Sequence, residues 1–170
     1  VPVVAQFTYE LPPVEDIRVA VLIKDYNLGA LQHDSYLKNR LVQSLARMKL
    51  QVLKEIPKDG MPNAYDMSGG PGLAKKLKAM SAIADLALVG EVKAILLDTG
   101  AGSSLVFSRS RAVVRLFDLA SEKEIGGIDL SLKAAGPDRD EAGRRGLQKI
   151  SVKASQALEN EVLRILFGRQ

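Results

Sequence analysis

The sequence predicts an α/β domain in which a mixed sheet of about four to five strands is covered on one face by two to three helices. Two observations lead to this fold class. Three strand-like runs follow one another between residues 84 and 134, with no helical segment between them. Apolar residues recur at helical spacing before and after these runs. The predicted element order is β-α-β-α-β-β-β-α.

The central region, residues 105–134, alternates with a period of two. One set of positions in its first run is small or apolar, and the other is basic or aromatic; the first set is Val106, Ser108, Ser110, Ala112, Val114 and Leu116. This pattern is typical of a strand with one buried face. Residues 128–134 repeat it, and the polar residues 120–123 between the two runs predict a hairpin. Upstream, residues 86–97 are nearly all apolar, which predicts an interior strand covered on both faces.

The first half of the chain supplies an arm, a strand and two helices. We predict that residues 1–15 form an extended arm or linker and that residues 16–170 form a single domain. Residues 17–24 alternate as a strand whose middle is buried on both sides. Asp34 or Ser35 can cap a helix with leucines at helical spacing, residues 50–56 form a short strand, and residues 73–83 form a second helix.

The longest predicted helix closes the chain. Asp138 and Glu141 have the spacing of a capping box at its start. Apolar residues then recur at helical spacing from Leu147 to Leu166, and the helix is expected to end near Phe167. A helix of this length can cross a whole sheet.

Composition excludes several kinds of chemistry. The 170 residues include no cysteine, so disulfides, thiolate metal sites and a cysteine nucleophile are excluded. His33 is the only histidine, which leaves a histidine triad or cluster without partners. The glycine-rich residues 68–72 lack the Gly-Lys-Ser/Thr ending of a phosphate-binding loop. We expect no cofactor, no metal ion and no membrane-spanning segment.

Residues 96–101, Leu-Leu-Asp-Thr-Gly-Ala, resemble the active-site turn of retropepsin-type aspartic proteases. In those enzymes two such aspartates share a proton and activate water. The context differs here, because a long helix occupies the place where that fold needs a flap and strands. A hairpin turn explains Asp98 and its glycines without catalysis. We therefore expect no catalytic residue, and an aspartic peptidase using Asp98 is the enzymatic alternative.

The exposed face of the 105–119 strand is the candidate binding surface. It presents three arginines and two aromatic residues, namely Phe107, Arg109, Arg111, Arg115 and Phe117. Such a face could bind another domain or subunit through arginine and phenylalanine anchors. It could also bind single-stranded nucleic acid by stacking and phosphate contacts, or remain a solvated face that discourages aggregation. Nearby acidic residues dilute the basic field, so we do not expect nucleic acid as the partner.

From Ile83 onward the chain resembles a group of bacterial envelope domains. The shared pattern is carried by residues 84–92, Ala-Asp-Leu-Ala-Leu-Val-Gly-Glu-Val, by residues 112–118, Ala-Val-Val-Arg-Leu-Phe-Asp, and by the alanine-rich final helix. The group comprises the amino-terminal domain of the Tol-Pal protein TolB, the curli-secretion lipoproteins and the middle domain of flagellar assembly protein T. The residues themselves suggest that Gly90 admits a close helix and that Asp118 starts a turn.

The resemblance implies a non-enzymatic domain for protein–protein interaction or assembly. Its partners would be other envelope proteins or flanking domains of the same polypeptide, with self-association as a further option. The implied location is the periplasm or the outer membrane. The chain has no cysteine that could carry a lipid.

Overall fold

The computed structural model describes residues 13–53, 72–97 and 104–168, which form one mixed sheet and three α-helices. The strands are β1 (Arg18–Asn27), β2 (Ala30–Leu31), β3 (Gln51–Val52), β4 (Leu86–Leu97), β5 (Val106–Asp118) and β6 (Lys123–Gly136). The helices are α1 (Tyr36–Arg47), α2 (Gly72–Met80) and α3 (Arg139–Phe167), and a short 3-10 turn, Val14–Asp16, precedes β1. The predicted α/β class is confirmed. Most of the predicted arm and the loop that contains Asp98 lie outside the described residues.

The sheet has the strand order β2-β1-β4-β5-β6, and β3 also pairs with β1. β1 runs parallel to β3 and β4, whereas β4, β5 and β6 form an antiparallel meander. The predicted hairpin of the last two strands is present. Asp118 starts its turn as expected, because its carboxylate accepts hydrogen bonds from the Ala120 N–H at 3.0 Å and the Ser121 hydroxyl at 2.8 Å.

One face of the sheet, here the inner face, packs against α1 and α3. Leu88 of β4 and Val114 and Leu116 of β5 are completely buried there. The helices contribute a matching set of buried aliphatic side chains, Leu37, Leu41, Leu45, Leu147, Ile150 and Leu158. Burial of one such side chain contributes about 1.5–3 kcal/mol. This layer therefore supplies most of the hydrophobic stabilisation.

The opposite face, here the outer face, is covered at one end by α2. Leu77 and Met80 of this helix pack against Leu22 of β1 and Val89 of β4. The sequence predicts all helices on one face of the sheet. The position of α2 on the opposite face differs from this prediction. The reason is that the middle of β1 and the start of β4 are apolar on both faces, so both faces need cover.

A buried carboxylate joins the end of β1 to the start of α1. Asp25 is 0% exposed and accepts hydrogen bonds from the Ser35 hydroxyl at 2.6 Å and the Tyr36 N–H at 2.8 Å. Ser35 is the N-cap of α1, because its hydroxyl accepts from the Lys38 N–H at 3.0 Å. Burial raises the pKa of Asp25, against the opposing effect of these hydrogen bonds.

α3 begins at the predicted cap. The Asp138 carboxylate accepts a hydrogen bond from the Glu141 N–H at 2.8 Å. The Glu141 carboxylate accepts from Arg144 at 3.0 Å and from Arg145 at 2.7 Å. These guanidinium groups lower the pKa of Glu141.

Two glycines let the start of α3 lie close to the sheet. A Cβ atom on Gly146 would stand 2.3 Å from Ser110 Oγ, and one on Gly143 would stand 1.9 Å from Asn27 Oδ1. The Ser108 hydroxyl donates to an α3 carbonyl at 2.6 Å. Among the described residues, Ser110 Oγ and Asn27 Oδ1 are buried without a hydrogen-bond partner. Only glycine fits above these two oxygens.

Gly90 of β4 is required by the neighbouring strand. A Cβ atom at this position would stand 2.4 Å from the Val113 carbonyl oxygen and 2.8 Å from the Val114 Cα atom of β5. The nearest neighbour of Gly90 is therefore the backbone of β5. That Gly90 also admits a close helix stays a prediction.

Candidate interaction surface on the outer face

Away from α2, the outer face of the sheet is open to solvent. Six side chains from β4 and β5 line a shallow depression of about 370 Å³ there, namely Glu91, Lys93, Ile95, Arg109, Arg111 and Val113. We call this region the open face. Ile95 lies directly opposite Arg109 across the two strands and is 54% exposed. An exposed isoleucine on a paired central strand is an apolar contact point held by a rigid backbone.

The five residues predicted for the interface all lie at alternate positions on the outer face of β5, namely Phe107, Arg109, Arg111, Arg115 and Phe117. Arg109 and Arg111 are exposed, while Phe107 and Arg115 are partly buried. Phe117 is only 4% exposed because it packs beneath α2. Phe117 therefore belongs to the core and is not accessible to a partner.

Two of the three arginines are paired with carboxylates of β6. Arg111 donates to Asp129 through Nε at 2.8 Å and through Nη2 at 2.5 Å. Arg115 Nη1 lies 3.5 Å from Glu124 Oε1. The Arg111 guanidinium lowers the pKa of Asp129. Both pairs are open to water, which screens them and limits their contribution to stability.

Two further cations face each other without such compensation. Arg109 lies directly opposite Lys133 of β6, and in the described ranges neither has a carboxylate within 4.0 Å. Like charges opposed across a strand pair repel each other. Lys93, by contrast, contacts Glu91 at 2.6 Å and lies 5.6 Å from the ring centre of Tyr26. Of these cations, Arg109 of the open face and Lys133 beside it on β6 are therefore the two without a nearby carboxylate among the described residues.

Sequence reasoning missed the contribution of β4 to this surface. Lys93 and Ile95 lie in a run whose sequence predicts burial on both faces. The signal was present, because Glu91 and Lys93 are charged residues at alternate positions after Gly90. Only the first half of the run is covered on both faces.

Of the two residues considered for catalysis, the structure describes only His33. The His33 side chain is 99% exposed and lies 3.4 Å from Asp34. Asp98, the residue of the peptidase alternative, lies outside the described residues, as do residues 68–71 of the glycine-rich segment. Within residues 13–53, 72–97 and 104–168, no three acidic or histidine side chains form a group that could hold a metal ion.

No protein-family model matches the chain, and no curated protein matches its sequence at a significant level. Solved structures do share its fold. The hypothetical protein CT253 from Chlamydia trachomatis superposes with a TM-score of 0.52 at 15% identity, over 86% of this chain and 97% of that one. The predicted resemblance is confirmed at the level of the fold.

Two further solved structures have lower TM-scores. TolB from Acinetobacter baumannii gives 0.47 at 13% identity, over 89% of this chain and 28% of TolB. A minor lipoprotein from the same organism gives 0.47 at 9% identity, over 87% of this chain and 94% of that one. Neither likeness carries a residue role over to this chain. None of the helices in the described part of this chain has the length and apolarity needed to cross a membrane.

Proposed function

We propose that this chain is a non-enzymatic protein-binding domain of a bacterial cell-envelope protein, and that the open face is its docking surface. The observation that carries the proposal is the juxtaposition of Ile95, which is 54% exposed, with Arg109 directly opposite it, which has no carboxylate within 4.0 Å among the described residues. Binding energy in protein interfaces is concentrated in a few anchor residues, among which arginine is frequent. Both anchors stand on paired strands, so little backbone entropy is lost when a partner docks.

The partner that fits this surface is a protein with an apolar side chain ringed by carboxylates. Ile95 offers the apolar contact, and Arg109 and Lys133 offer charges that lack a counter-ion among the described residues. A carboxylate placed between these two cations would relieve their mutual repulsion. We propose another envelope protein or a flanking domain of the same polypeptide as this partner. The periplasmic or outer-membrane location rests on the sequence resemblance.

A photo-crosslinking residue at position 95 tests where a partner binds. The matched control carries the same residue at position 163, because Leu163 of α3 is also exposed, at 39%, but lies on the helical layer. We expect position 95 to capture a specific protein from envelope extract and position 163 to capture none. Equal capture at both positions would contradict the assignment of the surface.

The affinity of the captured partner, once purified, is the decisive quantity. We expect Arg109→Glu and Ile95→Ser each to weaken binding at least about tenfold, which corresponds to about 1.4 kcal/mol. Lys153→Glu and Leu163→Ser on α3 serve as matched controls with unchanged affinity. A triple Arg→Ala variant at positions 109, 111 and 115 that binds like the parent protein would refute the proposal.

Two assays on the same purified protein distinguish the alternative functions from the proposed one. A retropepsin-like peptidase predicts peptide cleavage that Asp98→Asn abolishes. Nucleic-acid binding through Arg109, Arg111 and Arg115 predicts an affinity for single strands that falls steeply with salt. The carboxylates beside Arg111 and Arg115 disfavour phosphate binding at these two positions.

A further inference from the structure

β6 is the last strand of the sheet, and its outer edge carries no strand among the described residues. One contact shows which backbone groups point to this edge. The Ala135 carbonyl accepts from Arg145 of α3 at 3.4 Å. Strand residues alternate in the direction of their N–H and C=O groups. The odd-numbered residues between Gly127 and Ala135 therefore present their backbone groups to the free edge.

We propose that two copies of this chain pair through β6 as an antiparallel dimer whose two-fold axis passes at Ser131. This arrangement extends one sheet across both molecules and places the helices of both on the same side. Ser131 would exchange backbone hydrogen bonds with its counterpart in the second copy. The proposal concerns the edge of the sheet and does not depend on the function proposed for the open face.

The charges on β6 select this register. With the axis at Ser131, Asp129 of each copy lies directly opposite Lys133 of the other, so the dimer contains this pair twice. An axis at Asp129 would oppose two aspartates, and an axis at Lys133 would oppose two lysines. An axis at either neighbouring leucine would place each charge opposite an uncharged residue. Of these five registers, only the central one places unlike charges opposite each other.

The same register also weakens the repulsion between Lys133 and Arg109 within each protomer. Lys133 lies opposite Arg109 of β5 on one side, without a carboxylate within 4.0 Å in the described part of the chain. On its other side the register brings Asp129 of the second copy. Asp129 keeps free acceptor sites beside Arg111, because a carboxylate has more lone pairs than the two that Arg111 uses.

The inner face agrees with this pairing. Leu130 lies opposite Leu132 of the second copy, and both leucines are only partly buried in the protomer. Gly127 lies opposite Ala135 of the second copy. Arg145, which now contacts the Ala135 carbonyl, has to move aside for the two backbones to pair at the strand ends.

Charge exchange between two variants tests the register. Lys133→Glu opposes two carboxylates in its own dimer, and Asp129→Lys opposes two ammonium groups, so each variant alone is expected to be monomeric by analytical ultracentrifugation up to about 1 mM. An equimolar mixture restores both opposite-charge pairs and is expected to form a heterodimer. The parent chain is expected to dimerise. A parent chain that remains monomeric, or variants that dimerise alone, would overturn the proposal.

Crosslinking provides an independent measurement of the axis. The chain has no cysteine, so Ser131→Cys introduces the only thiol. A short thiol crosslinker is expected to join two copies at this position, since the residue lies opposite itself. Ser121→Cys, in the exposed turn before β6, is the matched control and is expected to give no dimer. Crosslinking that is equal at both positions would show random collision and would refute the arrangement.

Discussion

The two faces of β5 differ in how far helices bury them. Val114 is 0% exposed on the inner face, whereas its neighbour Val113 lines the open depression on the outer face. On β5 the inner face is buried from Ser108 to Leu116, because α3 crosses the sheet and α1 lies beside it. Among the described residues, the outer face is covered where α2 packs on β1 and β4. Hydrophobic stabilisation is therefore concentrated on the inner face, and the outer face keeps side chains that a partner can contact.

The largest change in the free energy of unfolding is expected from a comparison of two substitutions on β5, one on each face. Leu116→Ala removes a completely buried side chain from the inner core and is expected to lower the free energy of unfolding by about 2–5 kcal/mol. Val113→Ala on the outer face is expected to cost less than about 1 kcal/mol. Urea denaturation of both variants measures the two values. Similar losses would show that the outer face carries as much stability as the inner one.

The next largest change in stability is expected at Asp25, whose carboxylate is buried on the inner face. Asp25→Ala leaves the Ser35 hydroxyl and the Tyr36 N–H without their acceptor and is expected to cost about 1–3 kcal/mol. Asp25→Asn is expected to be much milder, because its amide oxygen can accept from Tyr36 while its NH₂ group donates to Ser35. Denaturation of the two variants at neutral pH compares them.

The pH dependence of Asp25→Asn has a defined sign. Burial raises the folded-state pKa of Asp25 above its ordinary value of 3.8, so its contribution to stability is complete below that pH. The contribution is lost as the pH rises through the raised pKa. The stability of Asp25→Asn relative to the parent protein is therefore expected to increase from pH 4 to pH 7. A difference that does not change with pH would contradict this.

The contact between α3 and β5 predicts a coupled effect. Gly146→Ala places a Cβ atom 2.3 Å from Ser110 Oγ and is expected to cost about 1–3 kcal/mol. Ser110→Ala removes a buried hydroxyl that has no partner among the described residues, so it is expected to be nearly neutral. The double variant should lose less than Gly146→Ala alone. Equal losses would show that the helix backbone, not the hydroxyl, sets the distance.

The smallest effect concerns an ion pair on the outer face. Arg18 and Asp85 contact each other at 3.0 Å, and Arg18 lowers the pKa of Asp85. Such a contribution is present above the ordinary aspartate pKa and is lost as the pH falls through the lowered one. The pair is more than one-third exposed, so Asp85→Asn is expected to cost less than about 1 kcal/mol at pH 7. The cost should vanish in acid, opposite to the trend at Asp25.

Local chemistry explains which elements could be predicted from the sequence. The period of two in β5 and β6 reports directly on one buried face, and the caps at Ser35 and Asp138 depend on neighbouring residues only. The turn at Asp118 is equally local. These features were predicted because no distant contact decides them.

Long-range packing explains what was missed. A run that is apolar at every position does not reveal which face a helix will cover, so the position of α2 was not predictable from β4. The same helix determines that Phe117 is buried although it shares its alternation with exposed Arg109. The partners of Gly90 and Asp25 likewise come from other elements. Each of these depends on chain segments far apart in sequence.

The parallel pairing of β1 with β4 predicts the order in which the elements fold. It joins residues 67 positions apart, as in the contact of Arg18 with Asp85. The meander of β4, β5 and β6 joins near neighbours in sequence, whose pairing closes much shorter loops. We expect the meander and α3 to be structured in the folding transition state, and β1 to dock after it. Substitutions in β5 should then slow folding, whereas substitutions in β1 should mainly accelerate unfolding.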